Sequence, residues 1–145
     1  MARRASELIA SGAANRWNRD GQYVIYTASS GSLATLELVV HSSAIRPKTT
    51  YRLMIIRLDD DERLYREIKT ASLPGDWRLR IAYPALQAIG SEWYTARDSL
   101  VLKVPSAVIP REYNYIINTQ HPDFDEHVEL VDTEEYFWDT RLLNR

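Results

Sequence analysis

The 145-residue chain contains no cysteine. Disulfides, thiolate zinc sites and cysteine nucleophiles are therefore excluded. Histidine is scarce: His41, His121 and His127 are the three present, and none pairs with another at HExxH-type metal spacing. A metal site would have to rest on carboxylates, and the acidic run Asp59-Asp60-Asp61-Glu62 reads as a solvated loop or helix start, so no metal is expected. No stretch approaches the roughly 18 consecutive apolar residues of a membrane span. Met1 to Ser11 hold Arg3 and Arg4 but no apolar segment of signal-peptide length, which makes cytoplasmic residence the expectation. Positive charge is not in excess either. A net charge of −2 argues against direct binding to a nucleic-acid backbone.

What is present is an ordinary globular balance, 45% hydrophobic and 26% charged, in a length suited to one domain spanning residues 1–145. No internal repeat, low-complexity tract or linker interrupts it. Gln22 to Ala28 is rich in β-branched and aromatic residues on both alternating faces, which predicts a strand buried on both sides. Ser29-Ser30-Gly31-Ser32 offers helix N-caps, and Leu33 to His41 has helical composition. Leu33, Leu36 and Val40 share one face while Ala34, Leu38 and Val39 fall on others; a helix apolar nearly all round is expected to be buried.

Further strands are predicted at Tyr51 to Leu58, Leu100 to Val104, Tyr113 to Asn118 and His127 to Val131. Ala82, Ala85, Leu86, Ile89 and Trp93 keep the spacing of an amphipathic helix, with Pro84 tolerable in its first turn and Gly90 weakening its centre. Five short strands with two clear helices lack strict βαβ alternation. The fold class is read as α+β.

Glu37 is the costly residue. It lies about 40° around the helix from Leu33, among apolar neighbours, and an unpaired carboxylate there is expensive. It must be paired, hydrogen-bonded or protonated; a buried ion pair with an arginine and a catalytic role are both open on the residue pattern. Arg16, Tyr26 and Ser106 are individually unremarkable, while Asn114 and Asn118 bracket a strand and suit a loop or a site equally.

Taken together, the blocks carry more. Arg16-Trp17-Asn18, Val24-Ile25-Tyr26, Ser29, Leu33-Ala34, Leu36-Glu37 and Val40-His41 are followed by Val104-Pro105-Ser106, Asn114-Tyr115 with Asn118, His121-Pro122-Asp123-Phe124 and Asp139-Thr140-Arg141-Leu142. This order resembles the RES domain, the toxin half of RES–Xre toxin–antitoxin systems. The chain departs from the family where Asn15 replaces a usual glycine, and its amino-terminal part is short.

The resemblance implies a mainly β, split-sheet core with flanking helices, similar to ADP-ribosyltransferases. It implies a type II toxin that depletes NAD by cleaving the nicotinamide–ribose bond, by hydrolysis or phosphorolysis. NAD is then a substrate, with inorganic phosphate as a candidate co-substrate, and no separate cofactor is called for. Carried over to this chain, it makes Glu37, Arg16 and Tyr26 catalytic and adds Ser29, Ser106 and Asn118 as substrate-binding residues. It implies an Xre-type helix-turn-helix antitoxin that blocks the cleft and carries any DNA contact, and a homodimer within that complex. The alternatives are transfer of ADP-ribose to a macromolecule, or an inert binding or co-repressor domain.

Overall fold

The computed structural model describes residues 5–40, 51–136 and 139–142; Arg3, Arg4, His41, the Arg46-Pro47 pair, Phe137 and Trp138 lie outside these. The elements in chain order are β1 (Val24–Ala28), α1 (Gly31–Val40), β2 (Arg52–Leu58), β3 (Tyr65–Glu67), α2 (Tyr83–Ala96), β4 (Val101–Pro105), β5 (Tyr113–Asn118), α3 (Phe124–His127) and β6 (Val128–Glu135). They form a four-stranded sheet ordered β1-β5-β4-β3 and a two-stranded sheet of β2 and β6. Among the described strands, only β3 and β4 pair in parallel. The class is α+β with a divided sheet, as expected.

Alternation along β4 and β5 explains how the layers stack. Leu102, Val104 and Ile116 face α2 and pack with Trp17, Leu86 and Trp93. Val101 and Ile117 face the other way, against Leu8, Phe124, Val128 and Leu130. Both central strands are thus buried on two faces.

β1 behaves differently from the expectation of two buried faces. It is an edge strand with β5 as its neighbour; Val24 is buried and the residues from Ile25 to Ala28 are half-buried. α1 corrects a second expectation. Leu33 is its buried residue, whereas Leu36 is 42% and Val40 58% exposed. The helix follows an edge strand and packs chiefly against it, so one apolar stripe is covered instead of the whole circumference.

Two strand expectations also change. β3 was not visible in the sequence: Tyr65-Arg66-Glu67 has a charged pattern and pairs only because β4 offers a parallel partner. β6 continues past Val131 to Glu135, because β2 supplies partners as far as Arg52 through a register shift at Ile55/Ile56.

α2 carries Pro84 in its first turn and ends at Arg97, whose left-handed φ of 57° closes the helix. His121 buttresses that end, with Nε2 3.0 Å from the Arg97 carbonyl and Nδ1 accepting from the Asp123 N–H at 3.0 Å. Gly90 sits where the Trp17 backbone crosses the helix. A Cβ there would stand 1.6 Å from the Trp17 carbonyl oxygen. Among the described residues, no helix is long and apolar enough to cross a membrane.

Candidate active site

The Arg16-Trp17-Asn18 block works as three separate devices. Trp17 is 2% exposed and anchors the segment in the core beside α2. Asn18, also buried, donates through Nδ2 to the carbonyls of Ala13, Arg19 and Gln22, which ties the loop into one shape. Its Oδ1 accepts from the Tyr26 hydroxyl at 2.7 Å, and that hydroxyl accepts from the Trp17 N–H at 2.8 Å. Burial pushes the Tyr26 phenol well above its ordinary value near 10, against the lowering effect of the Trp17 N–H. Tyr26 is therefore neutral and its hydroxyl is already satisfied within the protein.

Arg16 leaves this anchored segment partly buried and pointing across to α2. Its Nη1 donates to the carbonyls of Trp77 at 3.0 Å and Arg78 at 3.2 Å, and its guanidinium lies 4.9 Å from the Tyr83 ring centroid. Asn15 does not need a glycine's conformation: the one non-glycine residue with positive φ among those described is Arg97. The Asn15 side chain accepts from the Arg16 N–H at 2.8 Å, and its carbonyl accepts from Gln87 Nε2 at 2.8 Å. These bonds fix Arg16 to α2.

Glu37 is hydrogen-bonded by neutral side chains. No arginine or lysine pairs with it among the described residues. Ser106 Oγ donates to Oε2 at 2.9 Å and Asn114 Nδ2 donates to Oε1 at 3.0 Å. Each partner is itself held. Ser106, fully buried at the end of β4, accepts from the N–H groups of Val108 and Ile109 at 3.1 and 3.2 Å. Asn114 sits in register with both Ala28 and Val104 and also donates to the Thr27 carbonyl. Ser30 Oγ caps α1 through the Leu33 N–H at 3.1 Å, so the helix that carries Glu37 starts from a defined point.

Arg16, Tyr26, Glu37 and Asn114 line one cleft of about 420 Å³, together with Asn15, Arg78 and Tyr83. Ser106 stands directly behind Glu37. Ser29 is not in this cleft; it is exposed and borders a larger groove of about 1240 Å³ between the two sheets. Asn118 is also displaced. It pairs with Val24, at the opposite end of β5 from Asn114, roughly 13 Å away at about 3.3 Å per strand residue. Its amide accepts from the Gln120 N–H at 2.9 Å and reaches the Tyr94 carbonyl at 3.5 Å, which closes the turn after β5. The larger groove lacks both Arg16 and Glu37, so the smaller cleft is the chemical candidate.

Tyr83 and Arg78 were missed in the sequence, and Asn114 was left open between a loop and a site. Asn114 had a usable signal, since period-two alternation puts it on the face of β5 that begins beside Ser106. Arg78 had none, because its place is set by contacts far away in the chain.

Comparison with known proteins identifies the family. The RES domain pattern matches residues 2–139. The protein named Toxin Res from Photorhabdus laumondii is 34% identical over 128 residues, covering 88% of this chain and 81% of that protein. The Prs ADP-ribosylating toxin of Sphingobium sp. is 33% identical over 146 residues, covering 97% and 89%. Among solved structures, the M. tuberculosis MbcT–MbcA toxin–antitoxin complex aligns with a TM-score of 0.72 at 20% identity, over 89% of this chain and 76% of that one, a likeness of fold. With its pattern matched over nearly its whole length, this chain belongs to the RES domain family.

Proposed function

We propose that the chain is the toxin of a toxin–antitoxin pair, and that its cleft takes NAD and breaks the nicotinamide–ribose bond. The observation that carries this reading is Glu37, an acid held at both oxygens by neutral donors, Ser106 and Asn114, in the same cleft as Arg16. An ion-paired carboxylate would have spent its charge on its partner. This one keeps it for a ligand.

In the proposed reaction the ribose C1–N bond breaks and nicotinamide leaves with the bonding electrons as a neutral base, so no strong general acid is required. Positive charge grows on the ribose, and a fixed carboxylate near the 2-hydroxyl interacts more strongly as it does. Water or phosphate then bonds to C1, and with water the surplus proton goes to solvent. Arg16, with Nε and Nη2 making no hydrogen bond among the described residues, suits a phosphate oxygen. The Tyr26 ring supplies a wall of the cleft while its hydroxyl holds the Arg16 loop.

The test is nicotinamide release from NAD by the purified chain, with and without phosphate. Activity that falls at least about 100-fold in Glu37→Gln, with the variant still folded by its cooperative melting, is expected; full activity in that variant refutes the assignment. Ribose 1-phosphate chemistry at the product would identify phosphate as the acceptor. A second reading, transfer of ADP-ribose to a macromolecule, is favoured by the name of the Sphingobium relative. Label from NAD appearing on protein or nucleic acid would select it. The antitoxin partner is part of the proposal, and co-purification of this chain with the product of an adjacent gene tests it.

A further inference from the structure

We infer that Arg78 is a second anion-binding residue of the cleft, acting with Arg16 as a two-armed clamp on the pyrophosphate of a dinucleotide. The inference rests on the NAD reading above. Arg16 and Arg78 both line the cleft. Each is anchored to a backbone carbonyl and to no carboxylate among the described residues. Arg16 holds on by Nη1 to Trp77 and Arg78; Arg78 holds on by Nε to the Ala107 carbonyl at 2.7 Å. Five donors per guanidinium leave Nε and Nη2 of the first and both terminal nitrogens of the second for a ligand.

Glu37 lines the same cleft, but its oxygens accept from Ser106 and Asn114 and no arginine pairs with it among the described residues. Tyr83 has Arg16 at 4.9 Å and Arg80 at 5.8 Å from its ring centroid, which sets a third guanidinium near the first. Guanidinium groups without a paired carboxylate attract an anion. Two guanidinium forks lining one cleft match two linked phosphates, one arm each. A ligand with no phosphate gives the second arm nothing to bind. The loop that receives Arg78 contains Ser106, so a purely architectural role for Arg78 is the rival explanation.

ADP-ribose carries the pyrophosphate without the scissile bond and serves as the probe. Its affinity for the full chain is measured by calorimetry at low and high salt in wild type, Arg78→Ala and Arg78→Lys, with melting temperature recorded for each. Expected are a tenfold or greater loss in Arg78→Ala, a flatter salt dependence because one charged contact is gone, partial recovery in Arg78→Lys and unchanged melting. Unchanged affinity in Arg78→Ala overturns the clamp and leaves the NAD reading standing. Weaker binding with the wild-type salt dependence makes Arg78 a loop support and also overturns it. Wild type that binds neither NAD nor ADP-ribose overturns both.

Discussion

Replacing Gly90 with alanine is expected to reverse the usual sign of that substitution. On an exposed helix, Gly→Ala gains about 0.5–1 kcal/mol from backbone entropy and helix propensity. Here the new methyl would stand 1.6 Å from the Trp17 carbonyl oxygen and 2.7 Å from its carbonyl carbon, where ordinary contact is about 3.4 Å or more. The obstacle is backbone, so no rotamer change relieves it. The Asn15–Asn18 segment must lift from α2 by more than 1 Å on this geometry, opening the packing of Trp17 and Trp93 and stretching the Gln87–Asn15 bond of 2.8 Å. Overpacking of this kind costs about 1–3 kcal/mol and at a backbone contact lies at the upper end. For a chain of this length that is a fall of roughly 5–12 °C in melting temperature. Thermal and urea unfolding of Gly90→Ala beside Gly75→Ala, where a Cβ meets nothing within 4 Å, is the assay. A higher melting temperature in Gly90→Ala would refute the close crossing, and with it the account of how Arg16 is held.

Ser106→Ala removes one of two donors from Glu37 and leaves the Val108 and Ile109 N–H groups without their side-chain acceptor; about 1–3 kcal/mol of stability and at least tenfold in kcat for nicotinamide release are expected to go, as read by unfolding and by turnover. Tyr26→Phe breaks the bonds to Asn18 and Trp17 and should cost about 1–3 kcal/mol at neutral pH. The same residue has a pH signature: its phenol is raised in the fold above the ordinary value near 10, so the folded state holds its proton more tightly. The stability it contributes is complete below about pH 10 and is lost as pH rises above that. Urea midpoints from pH 8 to 11 should therefore fall more steeply for wild type than for Tyr26→Phe.

Much of the fold was legible because periodicity is a local property. The α2 spacing, the β5 alternation and the capping serines before α1 each follow from neighbours within a few residues. β3 was not legible, since three residues with two charges form a strand only when β4 lies alongside. The exposure of Leu36 and Val40 also depends on position: α1 borders the sheet's edge, and its composition cannot say so. At the site, Glu37 stood out as an acid among apolar neighbours. That its partners are Ser106 and Asn114 instead of an arginine depends on where β4 ends and β5 begins, and the length of β5 separates Asn118 from the cleft.

The turn behind Ser106 has a consequence of its own. Both acceptor positions of its hydroxyl are occupied by main-chain N–H groups, those of Val108 and Ile109. The hydroxyl hydrogen consequently has one destination, the Glu37 oxygen at 2.9 Å. A serine hydroxyl normally rotates to suit its surroundings; here the direction of the whole chain of bonds, amides to hydroxyl to carboxylate, is imposed by backbone geometry. Successive bonds in one direction polarise each other. The acid is in effect wired to two peptide dipoles through a side chain that has lost its freedom to turn away.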